Sequence, residues 1–356
     1  MAEIEGAGRR SGPTLRDVAK RAQVSVATAS RALASDYPVA EPTRAKVLQA
    51  VEELNYVVTS RTPRRAAPTG TIAMVVSDVV SPLRSLVATG VAEAAQDYGR
   101  LSAIYITGRE LRREEEVFAR LEETEDVEAV ILVGGVEQTD EYEQRMASHA
   151  RALHARGSQL VLCGRPPLAP GVPALVVEYD NRGGAYAATS HLLSMGHRRV
   201  LTLTGPERST TTIGRVEGYR QALQDFGTAL DPALVIPGTA DRSGAYQGCL
   251  RALGDNLEFT AIFAHNDVMA SGALAALREK GLSVPEDISL VGYDNIPVAQ
   301  ELSPPLTTVY MPHEELGKAA VRLAVERPAP GSGRERQLLG THIVIRSSVR
   351  PLSSGS

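Results

Sequence analysis

The sequence predicts an α/β chain in two unequal parts: a small head of three short helices, then a large body of two lobes, each a doubly wound parallel sheet. Three observations predict it. Apolar residues keep helical spacing in short segments over residues 14–56. From Thr71 onward, short apolar runs alternate with amphipathic stretches of helix length. Charge also divides the chain. Residues 1–65 hold eleven Lys/Arg against seven Asp/Glu, a net +4, so with −4 overall the remainder carries −8. A basic head on an acidic body suggests that only the head meets a polyanion.

Composition narrows the class further. Hydrophobic residues make up 43% and charged residues 22%, the balance of a folded chain rather than a disordered one. No apolar run approaches the roughly 20 residues that span a bilayer, so no membrane partner is expected. Residues 1–13 carry charges and glycines without the apolar core of a secretory signal. They read as a disordered leader, and a cytoplasmic, nucleoid-associated location is expected. Cys163 and Cys249 form no CxxC pair, which leaves zinc and redox motifs without support. His191, His197 and His265 also lack zinc-ligand spacing, so neither metal nor cofactor is expected.

In the head, Thr14 can cap a first helix that has Asp17 in its first turn. Leu15, Val18, Ala19 and Ala22 share one face of it. Gln23 and Val24 break the run, and Ser25 can cap a second helix over 26–34. A third begins at Thr43, with Val47, Ala50, Val51 and Leu54 at helical spacing. Two short helices across a tight turn, then a third, make a helix-turn-helix core. Ala19, Ala22 and Ala29 are small enough for the close backbone approach that a steep crossing needs.

Residues 14–22 (TLRDVAKRA), 24–33 (VSVATASRAL), 39–44 (VAEPTR) and 51–56 (VEELNY) resemble the headpiece of the lactose-repressor (LacI/GalR) family. The resemblance implies a DNA-binding domain over 14–57, in which the second helix enters the major groove. Val26, Ala27 and Arg31 then fall at base-reading positions. Arg31 can give two hydrogen bonds to guanine O6 and N7, whereas Val26 offers only apolar contact, for instance to a thymine methyl. Ser25, Thr28 and Ser30 are short hydroxyl donors suited to phosphates, which position without specifying. Thr14 joins them at the head of the first helix. Where the family often has Asn, this chain has Ala34.

Residues 58–70 are the hinge or linker. Family hinges carry a leucine that wedges into the minor groove, but no leucine lies between Asn55 and Gly70, and Pro63 would disrupt a helix there. Arg61, Arg64 and Arg65 remain, and arginines suit a narrow minor groove. The linker is expected to contact DNA electrostatically with less bending, a plain spacer being the alternative.

In the body, strands are expected at 72–76, 103–106, 129–133, 160–162, 175–177, 200–203, 261–263 and 290–292. Between them lie helical stretches such as 85–98, 110–123, 184–195, 218–226 and 268–280. This alternation implies parallel sheets covered on both faces. About 280 residues is large for one such sheet, which favours two lobes. Residues 164–171 (GRPPLAPG) read as a surface loop.

The resemblance extends through GHRRV (196–200), RVEGY (215–219), Asn266-Asp267, VPEDI (284–288), VGYDN (291–295) and PLTT (305–308), in family order. It implies the two-lobed fold of periplasmic sugar-binding proteins. Residues 71–350 would then bind an effector and dimerise, with lobe 1 over about 71–177 and 297–330 and lobe 2 over about 178–296 and 331–350. Arg215, Asn266 and Asp294 match effector-contacting positions. Asp294 can accept from vicinal hydroxyls, and Arg215 and Asn266 can donate to hydroxyl or carboxylate oxygens. Ser81, Leu83, Arg84, Thr211 and Thr239 are weaker candidates from loops at the same strand ends. The family's aromatics near Leu83-Arg84 and near Thr239 are absent, and the chain has no Trp. A simple hexose is therefore not assured, and Arg84 with Arg215 can favour an acidic or phosphorylated ligand.

The expected function is that of a repressor binding a palindromic operator in double-stranded DNA as a homodimer, under a sugar or sugar-like effector. A dimer fits because palindromic half-sites mirror a two-fold axis. No leucine-rich heptad follows residue 350, so the coiled-coil tetramer of some relatives is not expected. Induction is the default logic and corepression the alternative. A solute-binding protein would explain the body but not the head. An enzyme would need a phosphate loop, nucleophile elbow or poised carboxylate pair, none of which is found.

Overall fold

The computed structural model describes residues 15–33, 39–54, 70–328 and 331–352. It divides into two compact units, Met1–Ala67 and Pro68–Ser356. The leader, Thr14, Ala34 and the linker arginines Arg61, Arg64 and Arg65 lie outside the described residues.

The first unit holds α1 (Leu15–Arg21), α2 (Val26–Leu33) and α3 (Glu41–Glu53). Val18, Ala19, Ala22, Ala29, Ala32, Val47 and Ala50 are buried together, so mostly alanines let the helices pack closely. The chain turns from α1 to α2 at Gln23, which takes a left-handed φ of 54° while the Val24 amide returns to the Ala19 carbonyl. The third helix starts at Glu41, two residues before the position expected. Pro42 sits in its first turn, where the missing N–H breaks no helical bond.

The second unit contains two six-stranded sheets. The first runs β11-β5-β4-β3-β1-β2, all parallel, with β1 (Thr71–Val76), β2 (Leu101–Ile106), β3 (Val127–Val133), β4 (Gln159–Cys163), β5 (Ala174–Tyr179) and β11 (Arg336–Leu339). The second runs β12-β10-β9-β8-β6-β7, with β6 (Val200–Leu203), β7 (Val235–Ile236), β8 (Ala261–Ala264), β9 (Ser289–Asp294), β10 (Thr307–Tyr310) and β12 (His342–Val344). Among these strands only β12 is antiparallel to its neighbour. The first five strands of each lobe repeat one order, second-first-third-fourth-fifth. Each sheet therefore has a switch point, between β1 and β3 and between β6 and β8, the place where open α/β sheets receive ligands.

Two lobe boundaries are corrected. The expected crossings lie near residues 296 and 330. Instead β10 pairs with β9, so the chain stays in the second lobe through Tyr310. The chain then returns as α12 (His313–Glu326), which packs on β3, β4 and β5 of the first lobe. β11 pairs with β5 before the last crossing near Gly340 leads to β12. Apolar spacing alone cannot show this, because strand partners are set by tertiary pairing.

Helices cover both sheet faces. In the first lobe, α4 (Pro82–Asp97) lies against α12 at the closest approach glycine allows. A Cβ on Gly90 would stand 2.0 Å from the Glu314 carbonyl oxygen. On the opposite face, α5 (Leu111–Glu123) and α6 (Asp140–Ala155) bury Phe118, Leu121, Met146 and Leu153 against β1, β3 and β4. Each such side chain contributes about 1.5–3 kcal/mol of burial. In the second lobe, α7 (Asn181–Ser194) pairs with α8 (Thr210–Asp225), and α9 (Arg242–Gly254) with α10 (Asp267–Glu279).

Candidate DNA-reading helix and effector cleft

On α2, the Ser25 hydroxyl accepts from the Thr28 amide at 3.0 Å, capping an otherwise unsatisfied N–H as its position predicts. It also shares a 2.8 Å hydrogen bond with the Thr28 hydroxyl. At 100° per residue, Ala29 and Ala32 turn one arc of α2 into the core, which leaves position 31 on the outward arc and position 26, in the first turn, flanking the buried one. Val26 is 42% exposed and Arg31 is exposed. Ala27 and Ser30 belong to the same helix, but their side chains lie outside the described set. The exposed residues of α2 thus include one apolar contact and one long bidentate donor, on a helix narrow enough for the major groove.

In the second unit, the carboxyl ends of the two sheets face one another across a cleft. A cavity of about 50 Å³ remains there, lined by Leu83, Gly134, Gly135 and Gly164 from the first lobe and Asn181, Thr211, Arg215 and Met311 beyond it. A water needs about 30 Å³ and drug-sized ligands about 300 Å³ or more, so a sugar-sized ligand requires the lobes to part. They meet closely. The Thr210 amide donates to the Val136 carbonyl at 2.9 Å, the Val136 amide donates to the Thr210 hydroxyl at 3.2 Å, and Arg208 pairs with Glu137 at 2.8 Å. Gly135 permits this contact, since a Cβ there would fall 2.3 Å from the Thr211 hydroxyl.

Arg215 is the hub of the cleft floor. Its guanidinium donates to Asn181 Oδ1 at 3.0 Å, to Asp294 Oδ1 at 3.2 Å and to the carbonyl of His265. Its guanidinium carbon lies 3.7 Å from the centre of the Tyr293 ring, a cation–π contact. Arg215 and Asp294 side chains are 5% and 9% exposed, so this ion pair is desolvated. Burial raises the pKa of Asp294, and Arg215 then opposes that shift, followed by His313. Asp294 also adopts φ 102°, an unusual backbone for a residue with a Cβ. His313 donates or accepts at 2.9 Å with the Tyr179 hydroxyl and reaches the Asp294 carbonyl at 3.2 Å. The pair therefore sits at the lobe crossings. Asp267 is buried beneath, its pKa pushed up to about 8 chiefly by desolvation and then by Asp294.

Leu83, Thr211 and Arg215 line the cavity. Arg84 stands at its first-lobe rim, paired with Asp78 at 2.8 Å. Ser81 caps the start of α4 through its backbone, giving its amide to Asp78. Asn266 caps α10 by accepting from the Met269 amide at 2.7 Å and gives its amide to the Ala240 carbonyl. Thr239 is exposed and apart from the cavity, where its hydroxyl supports Asp241. Sequence reading misses Asn181, Tyr179, Met311 and the Gly134–Gly135 pair. No local pattern marks them, because only the strand order brings them to one place.

Known proteins agree with this geometry. A model of bacterial regulatory proteins of the lacI family matches residues 14–58, and a periplasmic binding protein-like domain matches 189–349. The chain is 31% identical over 347 residues to the HTH-type transcriptional regulator DegA of Bacillus subtilis, covering 96% of this chain and 99% of that protein. It is 34% identical over 353 residues to the HTH-type transcriptional regulator CelR of Thermobifida fusca, covering 96% and 99%. A solved structure described as a transcriptional regulator CelR–cellobiose complex superposes with a TM-score of 0.69 at 32% identity, covering 94% of this chain and 99% of that one. No helix among the described residues is long and apolar enough to cross a membrane. A capped second helix with exposed Val26 and Arg31 and a two-lobed cleft, in a chain matched over almost the full length of such relatives, accompany the similarity that places it in the lacI family of DNA-binding transcription regulators.

Proposed function

We propose that this regulator represses transcription in the cytoplasm, on the nucleoid, by holding a palindromic operator as a homodimer until a sugar-like effector enters the cleft. The observation that carries the reading is α2, whose cap is made and whose Val26 and Arg31 are exposed. The CelR–cellobiose structure supports a carbohydrate-type effector for the cleft. Arg215 and Asp294 would receive the ligand by exchanging part of their mutual contact for it as the lobes part. A ligand that binds the open and closed lobes unequally shifts their populations, which is the coupling required between cleft and head.

The dimer has a surface to use. β2 is one of the two edge strands of the first lobe, and its Leu101, Ile104 and Ile106 side chains are 57%, 48% and 51% exposed. An apolar edge is an association surface that natural proteins seldom leave uncovered. Ile104→Asp would place a charge in it. The expected result is a monomer by sedimentation and at least a roughly tenfold loss of affinity for a palindromic duplex. A dimer that binds as before would remove β2 from the interface.

A further inference from the structure

We propose that the effector carries an oxyanion, a carboxylate or a phosphate, which Arg84 and Arg165 receive on the first-lobe wall of the cleft. This rests on the reading of the cleft as an effector site and names the ligand's chemical class. Arg215 is not the free cation there, because its donors already serve Asn181, Asp294 and the His265 carbonyl. The unfilled donors belong to the opposite lobe. Arg165 follows the cavity-lining Gly164 and is only 8% exposed. One of its Nη atoms donates to the Tyr142 hydroxyl at 3.2 Å, while its buried Nε–H has no partner among the described residues. Arg84 uses one Nη on Asp78, and its buried Nε–H is likewise unpartnered. That Nε lies 4.0 Å from where a Cβ on the cavity-lining Gly134 would stand.

Charge at this wall is unbalanced. Arg109 and Arg165 are both near enough to act on Arg84, against Asp78 beside Arg84 and Asp241 across the cleft near Arg109. Burial first, and then Arg109 and Arg165, depress the Arg84 guanidinium, while Asp78 opposes them. Two helices add to the field. α4 and α8 both begin at the cleft, neither has a side-chain cap, and neither has an acid in its first turn. An uncharged sugar could accept from these N–H groups through its hydroxyl oxygens but would leave the guanidinium charges in mutual repulsion. An oxyanion accepts from the same N–H groups through stronger, charge-assisted bonds and also offsets the repulsion. Hydroxyls elsewhere on the same ligand would meet Asn181 and Thr211.

The test uses the full chain, titrated calorimetrically with matched sets at equal ionic strength. The neutral set is glucose, galactose and fructose. The carboxylate set is gluconate, glucuronate and galacturonate, and the phosphate set is glucose 6-phosphate and fructose 6-phosphate. Binding confined to one anionic set, weakened by salt, is expected and identifies the oxyanion. Arg84→Gln should then lower that affinity about 10- to 100-fold. Should Arg84→Gln fail to fold by circular dichroism, Arg165→Gln is read in the same way. A neutral parent binding as tightly as its anionic partner overturns the proposal. So does silence from every anion, or an unchanged affinity in the folded variant. Operator binding by the same preparation separates the outcomes: operator bound without any anion response sinks this proposal alone, whereas no operator binding sinks the regulator reading.

Discussion

Arg215 and Asp294 are legible in the sequence as positions that the family resemblance marks for effector contact, but their relation to each other is not. One lies in α8 and the other ends β9, and only the fold makes them a desolvated pair. Breaking such a pair leaves a buried charge unmatched, which costs about 3–5 kcal/mol. Arg215→Met should therefore destabilise the protein by about that amount near pH 8, measured by urea unfolding. The loss should shrink toward pH 5. Without Arg215, the burial that already raises the Asp294 pKa acts with less opposition, so folded Asp294 keeps a proton that the unfolded chain releases. The folded state then binds more protons than the unfolded one, and stability falls as pH rises. A loss independent of pH would mean that Asp294 stays ionised without its partner.

At the scale of elements, helix and strand periodicity reveals the alternation, because apolar spacing is a local property. What it cannot give is partnership. The strand at Thr307–Tyr310 joins the second sheet and Arg336–Leu339 the first, against the expected boundaries, since hydrogen-bonded neighbours are chosen by the whole fold. Helix contact is equally hidden. α4 and α12 are separated by more than 200 residues of chain yet meet at Gly90, where a Cβ would collide with backbone at Glu314. Gly90→Ala should force the helices apart and cost about 1–3 kcal/mol or more in thermal or urea unfolding. A variant as stable as the parent would show that α12 can shift at no cost. Because α12 follows directly on a lobe crossing, the same variant should also alter how readily the lobes part.

For the whole molecule, the charge division between head and body and the head motifs point to DNA from the residues alone, and the described head agrees with them in its cap and buried alanines. The cleft is less legible. Its first-lobe wall depends on Arg165, which local composition assigns to a surface loop and the fold buries. The central claim concerns the entire dimer: two heads reading a symmetric site through Val26 and Arg31. Its most direct test is selection from random DNA duplexes by the purified full chain, without added ligand, at about 150 mM salt, where nonspecific phosphate binding is held down. An enriched palindrome with guanine at the position read by Arg31, lost at that base pair in Arg31→Ala, is the predicted result. Enrichment of no sequence, or of an asymmetric single half-site, would contradict the account.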